Sequence, residues 1–237
     1  MRYEQLREED IQEGKEDRTN ETESEDEVKK DAAEIRNLNI PVDFRKLKKE
    51  NPDIYAWLCV PGTDIDYPVV QNRKDDAFYI THGIDRMENI AGAIFSESLN
   101  KMDFSDKHTV LYGHNMRDGS MFAGLHAFEE NTFFEEHRKI KVYTENAVRT
   151  YKIFAAYRYD DRHLLKSYDC KKQDIYRSYL EKIKKQRGLE ANIDMEEEVT
   201  ADDRILTLST CHRAGNDSRY LVQAVLIEEA LKNSVKK

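Results

Sequence analysis

Cys211 follows the run "RILTLST", and Arg219 opens the run "RYLVQAVLI". A cysteine that attacks a carbonyl needs a base or charge partner and a group that holds the oxyanion. His114 is the candidate base: it follows "TVLY" and Gly113, so a strand would aim its imidazole from a rim. If the two runs around Cys211 pair as neighbouring strands, the thiol and the Arg219 guanidinium share one end of a sheet. Spacing alone leaves blander readings open: a packed thiol, a surface arginine, a turn histidine. His212 adjoins Cys211, but neighbours in an extended chain point to opposite faces. His82, His108, His126, His137 and His163 lie in contexts that offer no partner. Cys59, inside "YAWLCV", reads as a buried apolar residue, and Cys170 as the incidental start of a charged helix. Three widely spaced cysteines make no disulfide framework and no C-x-x-C pair, so neither a metal nor a cofactor is expected.

The elements that must position these residues read as β. Eight runs rich in Val, Ile, Tyr, Phe and Thr are bounded mostly by Gly, Pro, Asn or Asp. They are "YAWLCV", "IDYPVV", "AGAIF", "HTVLYGH", "IKVYT", "VRTYKIFAAY", "RILTLST" and "RYLVQAVLI". Few are separated by helical patterns, which favours a mostly antiparallel barrel or sandwich over a doubly wound sheet. "PVDFRKLKKENPD" predicts a short N-terminal helix stopped at Asn51-Pro52. Between the last strands, "DCKKQDIYRSYLEKIKKQRG" puts Ile175, Tyr176, Tyr179, Leu180 and Ile183 on one helical face, with Asp169 expected as cap and Gly188 as stop. This helix is expected to cover one side of the barrel. Short helical pieces are expected at "DDAFYITH" and "SMFAGLHAF".

The 237 residues carry a net charge of −9. Residues 1–36 hold 14 acidic against 7 basic side chains, so the remainder is nearly neutral. The acidic stretch has sparse apolar residues and reads as a solvated spacer over 1–37, ahead of one domain over 38–237. A nearly neutral body gives no nucleic-acid footprint. No run of about 18 apolar residues predicts a membrane span.

With these residues placed, the chain resembles the sortases, bacterial cysteine transpeptidases. "TLSTC" with an arginine heading the next strand, "VLYGHNM", and "PDIYAWLCVPGTDIDYPVVQ" resemble class B members, as does the helix at 171–187 ahead of the cysteine strand. The likeness runs from about residue 38 to 230. It implies an eight-stranded sortase-type barrel with N-terminal helices and that long inserted helix. It implies Cys211 as nucleophile, His114 as acid/base and Arg219 as oxyanion or substrate clamp. Tyr112 and Ser209 resemble positions lining the sorting-signal groove. Asp76, in "KDDAFYI", stands where the family pattern has Asn. It is a candidate contact for the signal's first residue, its other reading being a helix cap. The implied reaction cleaves an NPxTx-like signal after Thr, forms a thioester, and passes the surface protein to a peptidoglycan-precursor amine. A pilin lysine as acceptor, or water, are the alternatives. The resemblance also implies the outer face of a Gram-positive membrane, reached through an N-terminal anchor that this chain does not carry.

Overall fold

In a computed structural model of the protein, residues 38–211 and 218–232 are described. The proposed spacer, 1–37, lies outside the described residues. The strands are β1 (Ile54–Cys59), β2 (Asp66–Val70), β3 (Ile94–Phe95), β4 (His108–Tyr112), β5 (Lys139–Thr144), β6 (Ala147–Asp160), β7 (Asn192–Ile193), β8 (Ile205–Cys211) and β9 (Ser218–Leu231). They pair in the order β5-β1-β2-β3-β4-β8-β9-β6-β7, and β5 also pairs with β6. Eight strands therefore close into a barrel, and β7 adds to β6 as an extra strand. All eight expected strands are present. The two-residue β7 is too short for any alternation to mark it. Pairing is antiparallel except for β2–β3 and β4–β8.

Among the described residues four helices lie around this barrel: α1 (Phe44–Glu50), α2 (Asn131–Glu136), α3 (Leu164–Ser167) and α4 (Gln173–Lys184). In α1 the carboxylate of Asp43 accepts from the backbone N–H groups of Arg45 and Lys46 at 2.8 and 3.3 Å, as an N-cap should. Short 3-10 segments, Phe78–Ile80 and Ala123–Glu129, stand where the two helical pieces were expected.

Alternation along the strands sends side chains to two separate apolar layers. Leu111, Leu206, Leu208, Tyr220 and Val222 point into the barrel. Val110, Ile205, Leu221 and Val225 point outward and meet Tyr176, Tyr179, Leu180 and Ile183 of α4. So α4 covers one outer face of β4, β8 and β9, as its stripe predicts. Its ends differ from expectation. Lys172 holds the N-cap position with no side-chain bond, and Asp169 instead accepts from the Lys171 N–H, in the turn before the helix. The chain turns there because Cys170 is drawn into the core. The helix stops at Lys185, short of Gly188.

At one end of the barrel Arg149 of β6 faces Glu229 of β9 in register, and Arg204 approaches the same carboxylate. The N–O distances are 2.7 and 2.6 Å. The bond from Arg204 is the main cause that holds the Glu229 carboxyl below its usual range, with the Arg149 charge adding to it. A depressed acid contributes stability that is complete above its unfolded value of about 4.5 and is lost as the pH falls through the folded value. The stability gap between the wild type and Glu229→Gln, read from urea midpoints, should therefore shrink as the pH drops from about 5 towards 3. A gap that stays constant or widens on acidification would exclude this carboxylate as a charged latch.

Candidate active site

Two ladders bring the candidate residues together. In the antiparallel β8–β9 pair, Cys211 lies directly opposite Arg219. In the parallel β4–β8 pair, Tyr112 lies opposite Ser209, so both strands end at the same rim. Paired residues project to one face, and so do residues two apart. Tyr112, Ser209, Cys211 and Arg219 thus share the outer face, the one that α4 covers further along. The Gly113 N–H extends the ladder by donating to the Ser209 carbonyl at 3.2 Å, and Thr210 Oγ1 donates back to the Gly113 carbonyl at 2.8 Å. His114 therefore leaves β4 beside the end of β8. A Cβ on Gly113 would stand 2.5 Å from Ile94 and 2.7 Å from Phe122, so only glycine lets the backbone pass here. The Nε2–H of His114 donates to the Ile80 carbonyl at 2.7 Å. That bond assigns the proton to Nε2 and leaves Nδ1 as the basic atom of the neutral ring.

Beside this rim lies a groove of about 270 Å³, lined by Asp76, Ile80, Tyr112, Ser209, Arg219 and Leu221 among others. Ile80 joins it to His114. Asp76, Tyr112 and Ser209 thus line one groove. The Tyr112 hydroxyl is buried with no hydrogen-bond partner among the described residues. Burial, then the nearby charge of Glu97, push its pKa well up, and Arg219 pulls the other way. It stays a neutral phenol facing the groove. Asp76 is not the cap of its 3-10 turn, where Asp75 takes the Ala77 N–H instead. The Asp76 carboxylate reaches across to Ser98, accepting from its N–H at 2.6 Å and from its hydroxyl at 3.1 Å. A carboxylate has further lone pairs, so this brace does not exhaust it.

The wall around Ser98 is itself anchored. Gln71 Nε2 donates to Ser96 Oγ and to the carbonyls of Glu97 and Asn100, at 2.8–3.0 Å. Glu97 then accepts from His163 Nε2 at 2.6 Å, which ties the wall to α3. His163 was expected to have no partner, but its ion partner is 66 residues away in sequence and no local pattern could reveal it.

A cysteine–histidine pair lies on the same outer face, under α4. Cys170 Sγ is 3.7 Å from His108 Nδ1, whose Nε2 bonds Thr207 Oγ1 at 2.8 Å. Burial lowers His108 to about 3 and raises Cys170 to about 12, the Asp169 charge adding to the latter. The pair is held neutral. Cys170 is therefore a core residue, not an incidental helix start, and His108 belongs to a strand with two partners. Cys59 is half-buried at the end of β1 rather than fully enclosed. Among the described residues no three His, Cys, Asp or Glu side chains gather as a metal site.

The chain can now be set beside known proteins. A family model described as the sortase domain matches residues 58–227. Sortase B of Listeria monocytogenes is 35% identical over 204 residues, covering 84% of this chain and 80% of that protein. The X-ray structure of Clostridium perfringens sortase B superposes with a TM-score of 0.71 at 33% identity, covering 78% of this chain and all of that one. A Staphylococcus aureus sortase B–substrate complex superposes at 0.69 with 30% identity, over 78% of this chain and 84% of the other.

The two cysteines differ in a way that a thiol reagent can read. Iodoacetamide near pH 8 should modify Cys211 well before Cys170, because the attacking species is the thiolate and burial suppresses it at Cys170. Peptide mapping of the alkylated chain measures both rates, and equal rates would show that α4 does not seal the Cys170 pair.

Proposed function

The chain belongs to the sortase family and is a cysteine transpeptidase of class B, and on that premise we propose that Cys211, His114 and Arg219 carry the reaction. The observation that carries the assignment is the register: Cys211 opposite Arg219, with the His114 strand ending in parallel alongside. The thiolate of Cys211 attacks the carbonyl carbon of the signal's Thr, forming a C–S bond as the carbonyl electron pair moves to oxygen. Arg219 offers that oxygen a cation with fixed N–H donors. The C–N bond then breaks, and the leaving amine takes a proton from the His114 imidazolium. A thioester remains on Cys211. An incoming amine attacks it, gives its proton to His114, and expels the thiolate. Transfer of the thiol proton to the imidazole supplies both the attacking thiolate and the imidazolium.

The partners in this reading are a surface protein with an NPxTx-like sorting signal and a cell-wall amine that resolves the thioester. Sortases are associated with the cell surface, and the reading places this enzyme at the outer face of the membrane. No helix among the described residues is long and apolar enough to cross a membrane. The groove beside Cys211, and the substrate bound in the Staphylococcus aureus relative, support a peptide ligand there.

The decisive experiment is mass spectrometry of the chain after incubation with sorting-signal peptides. A thioester adduct should appear on Cys211, be released by an added amine, and be absent in Cys211→Ala. His114→Ala should lower turnover by about 10²–10⁴-fold, the usual worth of a general acid/base. Substantial cleavage by Cys211→Ala would overturn the mechanism.

Specificity is expected to follow the groove's polarity. A wall that presents Asp76 and a partnerless Tyr112 hydroxyl favours a first signal residue that can hydrogen-bond, because an apolar one leaves buried partners unpaired. In a competition among peptides beginning Asn, Ser or Leu, Asn or Ser should win, and Asp76→Ala should narrow their lead. A Leu peptide that wins against the wild type would refute the class B preference. An unchanged ranking in Asp76→Ala would leave that residue as the Ser98 brace alone.

A further inference from the structure

The proposed catalytic side chains lie on the outer face of the barrel, but the Cys211 peptide is held from within. Its carbonyl oxygen accepts from Nδ2 of Asn115 at 3.1 Å and lies 3.2 Å from Nε2 of His126. The Asn115 amide is also 3.0 Å from His126 Nε2. On the far side of the ring, Nδ1 makes a short bond to Oε1 of Glu129. The His126 side chain is 1% exposed, and its ring stacks on Tyr220 with centroids 5.1 Å apart. Asn115 follows His114 in the chain, and Tyr220 follows Arg219. One buried imidazole thus touches the Cys211 peptide and the neighbour of each of the other two proposed catalytic residues.

Nδ1 faces a carboxylate and carries a hydrogen, and the Asn115 amide donates a hydrogen to the Cys211 carbonyl. None of the three residues is among those lining the groove. Cys211 is also the last described residue of β8. Resting on the assignment of Cys211 as nucleophile, we propose that Glu129, His126 and Asn115 form a positioning relay. It locks the Cys211 peptide to the loop of His114 and so sets the distance between thiol and imidazole. A displacement of about 1 Å at a reacting atom can cost about a hundredfold in rate, which is the scale on which such a clamp acts.

The test uses the whole chain and steady-state cleavage of a sorting-signal peptide. Asn115→Ala and His126→Ala should each lower kcat by roughly tenfold to a hundredfold, with KM changed less than about threefold. The double variant should be no worse than the weaker single, because both cut one chain of contacts. Asn115→Asp keeps the shape but turns an acceptor towards the Cys211 carbonyl, so it should lose at least as much as Asn115→Ala. A space-filling role predicts the opposite, near-normal activity for Asn115→Asp. If circular dichroism shows His126→Ala unfolded, the two Asn115 variants decide. Near-normal kcat in Asn115→Asp, a loss confined to KM, or losses that multiply in the double variant overturn the relay. Failure of the underlying assignment looks different: Cys211→Ala would retain turnover in the same assay.

Discussion

Parallel neighbours need a long crossover, because a tight turn can only return the chain antiparallel. Between β4 and β8 that crossover spans residues 113–204 and includes β5, β6, β7 and α2 to α4. The parallel ladder it allows fixes the chemistry of the rim. Both strands finish at the same edge, so a residue just past the end of β4 meets the last residue of β8. Antiparallel pairing with β9 then starts the next strand at that edge, opposite Cys211. Reversing β4 would carry His114 to the far end of the barrel, some five residues away along the ladder.

Two thiols, Cys170 and Cys211, share the outer face of the same sheet, and what covers them separates their environments. Cys170 and His108 lie beneath α4, where burial disfavours the charged form of each: the thiol goes up to about 12 and the imidazole down to about 3. Proton transfer between them would create two charges in an apolar layer. Cys211 is only half-buried at the end of β8, past the cover of α4, with Arg219 in register beside it. The long helix thus seals one part of this face as core and ends short of the groove.

The polar bracing around the groove follows the same economy. Gln71 and Asn100 are buried side chains that satisfy backbone groups of the 96–110 region, and Asp76 and His163 tie that wall to the opposite side of the groove. Fully satisfied buried networks hold one geometry, because any shift strands a donor or acceptor away from water. Irregular backbone can then serve as a binding wall beside a regular sheet.

Much of this was legible in the chain. Runs rich in Val, Ile, Tyr, Phe and Thr between Gly, Pro, Asn and Asp located all eight barrel strands, since those residue types suit a pleated, packed surface. The stripe of Tyr176, Tyr179, Leu180 and Ile183 declared α4 and its buried face. The flanks of Cys211, with Arg219 heading the next run, placed a thiol and a guanidinium at one rim, because a hairpin partner is a local inference. What stayed hidden depends on contacts between distant residues. Asp169 and Gly188 looked like helix ends, yet Cys170 is buried in the turn before the helix and the helix stops at Lys185. Asp76 read as a groove contact or a cap, and its partner Ser98, 22 residues away, was not visible. His108, His126 and His163 looked unpartnered, because Thr207, Cys211 and Glu97 come to them only across the closed barrel. The sequence by itself determined which segments are the eight barrel strands, which face of the long helix is apolar, and which residue types could react. Only the tertiary structure decided which of them meet, because strand order and the parallel sense of β4 and β8 arise from closing the whole sheet, and no local pattern encodes that closure.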